Sequence, residues 1–221
     1  MTYQHRWTNG EKILFAPSKI VCIGRNYAEH ARELNNPITT EPMLFIKPVT
    51  SIVDMTEPII VDWEKGVVHH ELEISVLIGQ ALAQCTKQQA ASAIYGIGAA
   101  LDLTLRDLQN ELKLKGHPWE KAKAFDGSCP LSAFEPSKSF DALDNIELQL
   151  TVNGTVRQKG SSRQMLTDIV SLIEYISRWF TLMPGDVVLT GTPAGVGPLG
   201  PGDELIVDLI GHFTLHTKVQ R

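Results

Sequence analysis

Residues 67–79 read VVHHELEISVLIG, with Glu71 and Glu73 two apart in a segment that otherwise has the composition of a buried strand. His69 and His70 stand just before them. Side chains on a β-strand alternate faces with a period of two, rising about 3.3 Å per residue. His69, Glu71 and Glu73 would therefore share one face, and His70, Leu72 and Ile74 the other. Two carboxylates so spaced can converge to about 4 Å, where at an effective dielectric near 20 they repel by roughly 4 kcal/mol. Either that face meets water, which screens the repulsion, or a cation lies between the carboxylates.

A third acid, Asp102, sits in the apolar run AALDLTL, alternating with Leu101 and Leu103. Taken singly it is an ordinary strand-end or turn residue. Together the three could supply oxygen ligands, which select Mg²⁺, Mn²⁺ or Ca²⁺ rather than zinc. His30 and Glu33 are three apart in YAEHAREL, so on a helix they share a face and can hydrogen-bond. A carboxylate that orients an imidazole makes a competent general base. The competing reading is a solvated helix on which Glu29, Arg32 and Glu33 simply face water. In WEKAKAFDGSCP, Lys121 and Lys123 are flanked by apolar residues, and one of them could clamp an anion, although a surface lysine is the commoner state.

Other signatures fail. HHELE lacks the second histidine of the zinc-protease pattern, because Ile74 stands there. Gly96-Ile97-Gly98 has no third glycine in place for a dinucleotide fingerprint. TGTPAGVGPLGPGD (190–203) lacks the Gly-Lys-Ser/Thr of a phosphate loop. There is no Gly-x-Ser-x-Gly elbow, and Cys129 beside Pro130 reads as a small buried thiol.

The elements that must position these residues alternate. SKIVCIG (18–24), MLFIKP (43–48) and PIIVDW (58–63) read as strands, and 27–34 as a charged helix that stops before Asn36-Pro37. KQQAASAIYGIGAA (87–100) reads as a helix leading into the strand that carries Asp102 and Thr104. IELQLTV and TVRQ flank Asn153-Gly154, a type I′ hairpin signal. Met165, Ile169, Leu172, Ile176 and Phe180 recur at helical spacing through 163–180, a stripe read as core packing. Pro-Gly-Asp turns at 184–186 and 201–203 each precede a strand.

The 221 residues are 43% hydrophobic with a net charge of −5, enough to bury a substantial core. Acidic and basic residues are mixed throughout, which argues against nucleic acid as a partner. No run reaches membrane-spanning length, and the opening MTYQHRWTNGEK has no signal-type apolar core. Three scattered cysteines suit free thiols in a reducing compartment, so a soluble cytoplasmic location is expected. The pattern predicts one strand-rich α+β domain over 18–221 behind an N-terminal extension, 1–17.

The succession GRNYAEHARE, LFIKP, HHELE, ALDLTLRDLQ, KAFDGSCP and PGDVVLTGTPAGVG resembles the fumarylacetoacetate hydrolase family, in particular its short, single-domain acylpyruvase branch, from about Ser18 nearly to the C-terminus. The resemblance implies a mixed β-sandwich roll, a homodimer, and Mg²⁺ or Mn²⁺ held by Glu71, Glu73 and Asp102. It implies that His30 and Glu33 activate water, on a segment that can order as a lid, and that Lys123, not Lys121, is the active-site lysine. Arg106, Gln109, Thr192 and Lys47 match positions that line the substrate site. The activity expected is cleavage of the C–C bond of a small 2,4-dioxo acid (an acylpyruvate) to pyruvate and a carboxylic acid. Alternatives on the same site are oxaloacetate decarboxylation, oxaloacetate keto–enol tautomerisation, and isomerisation of a 2-hydroxy-dienedioate of aromatic catabolism. A non-catalytic metal-binding module is the alternative of a different class, and His30, Glu33 and Lys123 argue against it.

Overall fold

Every residue of Leu72–Ile78 is buried, because this strand lies at the centre of an eight-stranded mixed sheet. A computed structural model of the chain describes residues 3–34, 37 and 41–220. In the large sheet the strands run in the order Met43–Lys47, Ile20–Gly24, Val187–Leu189, Leu72–Ile78, Ile94–Leu101, Cys129–Leu131, Ile52–Asp54, with Glu135–Pro136 as a short addition to Ile94–Leu101. Two pairs are parallel, Ile20–Gly24 with Val187–Leu189 and Ile52–Asp54 with Cys129–Leu131. A four-stranded antiparallel sheet, Thr155–Ser161, Glu147–Val152, Glu204–Leu209, Phe213–Lys218, packs its buried Leu148, Leu150, Leu205 and Val207 into the same core. A third sheet, of Gly197–Pro198, Val68–His70 and Thr104–Leu105, closes over the end of the central pair. The architecture is the strand-rich α+β roll that the sequence predicts.

Several elements differ from the sequence reading, through tertiary pairing or local capping. The helix predicted over 87–100 covers only Lys87–Ala93, opened by a capping box between Thr86 and Gln89. The chain then runs on as the strand Ile94–Leu101, where seven residues pair with Leu72–Ile78. Gly98 fits that crowded ladder because a Cβ there would lie 2.8 Å from Ser132 Oγ and 3.0 Å from Ser75 Oγ. The ladder outweighs the helical preference of the alanines around it. PIIVDW contributes one bridge, Ile59 to Val219, and then a 3₁₀ turn, Trp63–Lys65, capped by Asp62. The helix predicted over 163–180 is Ile169–Ser177, because Asp168 caps its start by accepting from Ser171 N at 2.9 Å. Met165 and Phe180 lie outside it yet still pack on the core. The charged helix is Ala28–Glu33, and the stop predicted at Asn36 lies outside the described residues.

Asn153 (φ 50°) and Gly154 (φ 76°) form the tight hairpin turn. Residues 3–17 pack on the large sheet, with Trp7 bridged to Phe134 and His5 Nε2 bonded to Gly185 O at 2.8 Å. All three cysteines are free and buried. Among the described residues no helix is long and apolar enough to cross a membrane.

The Pro-Gly-Asp turn at 184–186 does more than turn the chain. The buried Asp186 carboxylate accepts from Ser18 N (3.1 Å), Ser18 Oγ (2.6 Å), Lys19 N (3.2 Å) and Met183 N (2.8 Å), and pairs with the Lys19 ammonium. It thereby fixes Val187–Leu189, which leads into Thr190-Gly191-Thr192, against Ile20–Gly24. Burial alone would raise its pKa, but the bonds from Lys19 and Ser18 hold it below the ordinary value of 3.8. Its contribution is complete above that value and is lost as pH falls through the folded pKa. Asp186→Ala is expected to lower stability by about 3 kcal/mol at neutral pH. Urea unfolding should show that gap narrowing on acidification; a gap that widens towards acid would contradict the assignment.

Candidate active site

Strand register brings the acids together. Leu72 pairs with Leu101 and Glu73 with Ala100, and one step further Asp102 N donates to Glu71 O at 2.8 Å. The segment read as one strand is two, broken at Glu71, where the chain leaves the small sheet and enters the large one. Glu71, Glu73 and Asp102 are all buried, and a carboxylate oxygen of each lies within 4.8 Å of the others.

Three cations face them. Lys123 Nζ donates to Glu71 Oε2 (2.7 Å), Asp102 Oδ2 (2.6 Å) and Thr104 Oγ1 (2.7 Å). Arg106 Nη2 pairs with Glu71 Oε1, and its Nη1 donates to Gln109 Oε1 at 2.8 Å. Lys47, fully buried, lies 2.8 Å from Asp102 Oδ1 and bonds Ser128 O and Oγ, each at 3.0 Å, as well as the Lys123 carbonyl. Burial would raise the Glu71 pKa, but Lys123 and Arg106 outweigh it and hold this carboxyl well below the usual range. Glu73 goes the other way, pushed well up by burial and then by Asp102 and Glu71. Burial works against the Lys123 ammonium, yet Asp102 and Glu71 raise its pKa overall.

This donor set fits a hard divalent ion. Three buried carboxylates converge, Lys123 already bridges two of them with a positive charge, and Glu73 is the acid whose ionised form is least supported. A divalent cation favours exactly the ionised form that burial opposes.

Thr192 Oγ1 donates to Leu72 O at 2.7 Å, and Gly191 N donates to Glu73 Oε2 at 2.6 Å. Gly191 has φ 92°, and a Cβ there would lie 2.8 Å from the Asn26 side chain. Asn26 in turn ties the first turn to this loop, donating to Thr190 O (2.9 Å) and Thr167 O (3.0 Å) and accepting from Thr167 N (2.8 Å). On the helix that follows, His30 Nδ1 lies 3.3 Å from Glu33 Oε2, and Glu33 Oε1 accepts from Gly195 N at 3.0 Å. His30 is buried, and burial lowers its pKa in spite of Glu71 and Glu33.

One cleft is lined by His30, Glu71, Glu73, Asp102, Arg106, Gln109, Lys123 and Thr192. Glu33 opens on an adjoining hollow, and Lys47 lies behind the carboxylates, outside the cleft wall. Lys121 is exposed.

Two positions at the site escape a reading of motifs. Buried Gln158 accepts from Leu72 N, bonds His70 Nδ1, each at 2.9 Å, and donates to Thr192 Oγ1 (2.7 Å) and Pro193 O (2.9 Å). It joins the hairpin to both site loops, and a single glutamine in TVRQ carries no sequence signal of this. Lys113 also lines the cleft. A signal was available for it, since it lies seven residues after Arg106 on the same helix face.

Residues 19–220 match the family model described as "Fumarylacetoacetate (FAA) hydrolase C-terminal". The chain is 51% identical over 218 residues to an oxaloacetate tautomerase of Escherichia coli, covering 98% of this chain and 99% of that one. It is 43% identical over 194 residues to a mitochondrial oxaloacetate decarboxylase of Dictyostelium discoideum, covering 87% and 89%. The crystal structure of a fumarylpyruvate hydrolase of Pseudomonas aeruginosa in complex with Mn²⁺ and pyruvate superposes with a TM-score of 0.92 at 32% identity, over 99% of this chain and 96% of that one. By motif order, fold and likeness along nearly its whole length, the chain belongs to the fumarylacetoacetate hydrolase family of enzymes.

Proposed function

We propose that the protein interconverts the keto and enol forms of oxaloacetate, with Mg²⁺ or Mn²⁺ held by Glu71, Glu73 and Asp102. The observation that carries this reading is a buried imidazole, kept neutral by its surroundings and oriented by Glu33, that opens on the same cleft as a carboxylate-held ammonium. Tautomerisation moves a proton between C3 and the carbonyl oxygen. It needs a base and a stabilising cation, and no nucleophile.

Bound at the three carboxylates, the divalent ion would supply Lewis acidity to the 2-oxo acid. A carboxylate can only accept, so His30 donates Nδ1–H to Glu33 and keeps its lone pair on Nε2. Nε2 takes the C3 proton. Lys123 stabilises the charge that develops on the former carbonyl oxygen. The imidazolium then returns a proton at C3, regenerating the ketone, or at oxygen, giving the enol.

Sequence reasoning favours acylpyruvate hydrolysis, and the relatives shift that preference. The oxaloacetate tautomerase and decarboxylase share 51% and 43% identity with this chain, against 32% for the fumarylpyruvate hydrolase. Decarboxylation of oxaloacetate is the second reading, supported by the Dictyostelium relative. It passes through the same enolate but calls on no base.

The test follows the enol's ultraviolet absorbance after fresh oxaloacetate meets the protein with Mg²⁺. His30→Ala is expected to slow the approach to equilibrium about 10²–10⁴-fold, the usual worth of a general base, while sparing any decarboxylation. A wild-type protein that leaves the keto–enol ratio untouched yet cleaves acylpyruvates would overturn the reading.

The pH dependence has a definite sign. Because His30 is held below its ordinary value of 6.5, its basic form persists into mildly acidic solution. The acid limb of kcat/KM should therefore have its midpoint below pH 6.5, and an acid limb above that value would show that another group is the base. The lysines separate as well. Lys123→Ala should cost about 10²–10³-fold in kcat, as loss of a preorganised charge stabiliser does, whereas Lys121→Ala at an exposed site should change it little.

A further inference from the structure

The helix Arg106–Lys115 carries Arg106, Gln109, Asn110 and Lys113 at i, i+3, i+4 and i+7, a single stripe. Gln109 lines the catalytic cleft, Asn110 the adjoining hollow, and Arg106 and Lys113 both. The Lys113 ammonium lies 5.2 Å from the centroid of the Trp119 ring, Trp119 lies 6.3 Å from Phe45, and the Lys123 ammonium lies 5.3 Å from the Phe45 ring. One aromatic wall thus carries an ammonium at each end.

The two ammonium groups differ in their partners. Lys123 is committed to Glu71 and Asp102. Among the described residues, no carboxylate lies within ion-pair distance of Lys113. Its charged neighbours are mainly cations: burial, followed by Arg106, Arg25 and Lys123, pulls its pKa down to about 8, against a smaller opposing effect of Glu71. Arg25 lines the same cleft from a left-handed backbone conformation, φ 64°, which is uncommon for a residue with a side chain and is found where a site demands it. Half-buried like charges gathered at one end of a cleft are the complement of an anion.

We propose that Lys113, with Arg25 beside it, forms a subsite for the second carboxylate of a short oxo-diacid and so sets a preference for diacids over 2-oxo acids with uncharged tails. The inference rests on the reading of oxaloacetate as substrate and adds the residue that selects it. The first carboxylate and the oxo group belong at the metal end, beside Lys123. The short carbon chain runs along Trp119 and Phe45, and the far carboxylate meets Lys113.

Titration calorimetry in the presence of Mn²⁺ tests this with two probes. Oxalate carries only a chelating end, and L-malate carries such an end together with a second carboxylate. Lys113→Met keeps the stem packed on Trp119 and removes the charge; it is expected to weaken malate about 10- to 100-fold, one charge-assisted hydrogen bond, and to leave oxalate essentially unchanged. Lys113→Arg should restore most of the malate affinity, and with oxaloacetate the methionine variant should raise KM while kcat stays near the wild-type value. Equal changes for oxalate and malate, no change for either, or a wild-type protein that does not bind malate would each overturn the proposal. Calorimetry reads binding and not turnover. A protein that fails to tautomerise oxaloacetate but shows the malate-selective loss keeps the subsite and loses the proposed activity, and the reverse result does the opposite.

Discussion

Three buried carboxylates, with an oxygen of each within 4.8 Å of the others, set the terms for the rest of the molecule. At an effective dielectric near 20, each pair at such separations repels by roughly 3–4 kcal/mol. The chain answers with three cations drawn from three different elements: Lys47 ends an edge strand, Lys123 ends the short helix Glu120–Lys123, and Arg106 begins the helix behind the cleft. Each ion pair therefore also fastens an element to the central sheet, so the site and the fold are held by the same contacts. Lys47 illustrates this best, since its ammonium meets Asp102 on one side and the carbonyl groups of Lys123 and Ser128 on the other. By formal charge the three acids and three cations balance, and Glu73 is the acid whose charge the cations support least.

What could be read in advance follows from which forces are local. The Asn153-Gly154 hairpin and the Pro-Gly-Asp turns are written into neighbouring residues and appear in the structure where the sequence places them, whereas the single strand read through HELE is broken at Glu71. The boundary at Ala93 is not local. Nothing within KQQAASAIYGIGAA marks where helix gives way to strand, because the strand is specified by Leu72–Ile78 and by Ser132, which occupies the space a side chain on Gly98 would need. PIIVDW has the composition of a strand but finds a partner only at Ile59. In the site, most residues within the family motifs gather at one cleft, with Glu33 on the adjoining hollow and Lys47 behind the carboxylates, whereas Gln158 and Lys113 stand outside those motifs: one is tied in through hydrogen bonds spanning 34 to 88 residues, the other through a helical face.

The preference for hydrolysis over tautomerisation shows the other limit of sequence reading. Hydrolysis, decarboxylation and tautomerisation of these oxo acids converge on one enolate, and on the proposed mechanism the carboxylates with Lys123 would serve all of them alike. Residues that stabilise a shared intermediate cannot distinguish the reactions that lead to it.

Discrimination has to come from groups that touch the part of the reaction that differs. Two elements outside the central sheet carry them. The helix Ala28–Glu33 holds His30 and is fixed to the loop after Thr192 through Glu33 and Gly195; on the proposed mechanism it determines whether a proton is taken from carbon or from water. The helix Arg106–Lys115 holds Lys113, the cation proposed to meet the far carboxylate. Both meet the acid cluster through Glu71, which acts electrostatically on His30 and pairs with Arg106, so other positions on either helix can vary while those buried charges stay in place. That separation gives a physical reason why one charge-balanced core can support several activities, with the base and the entry determining which one a given chain performs.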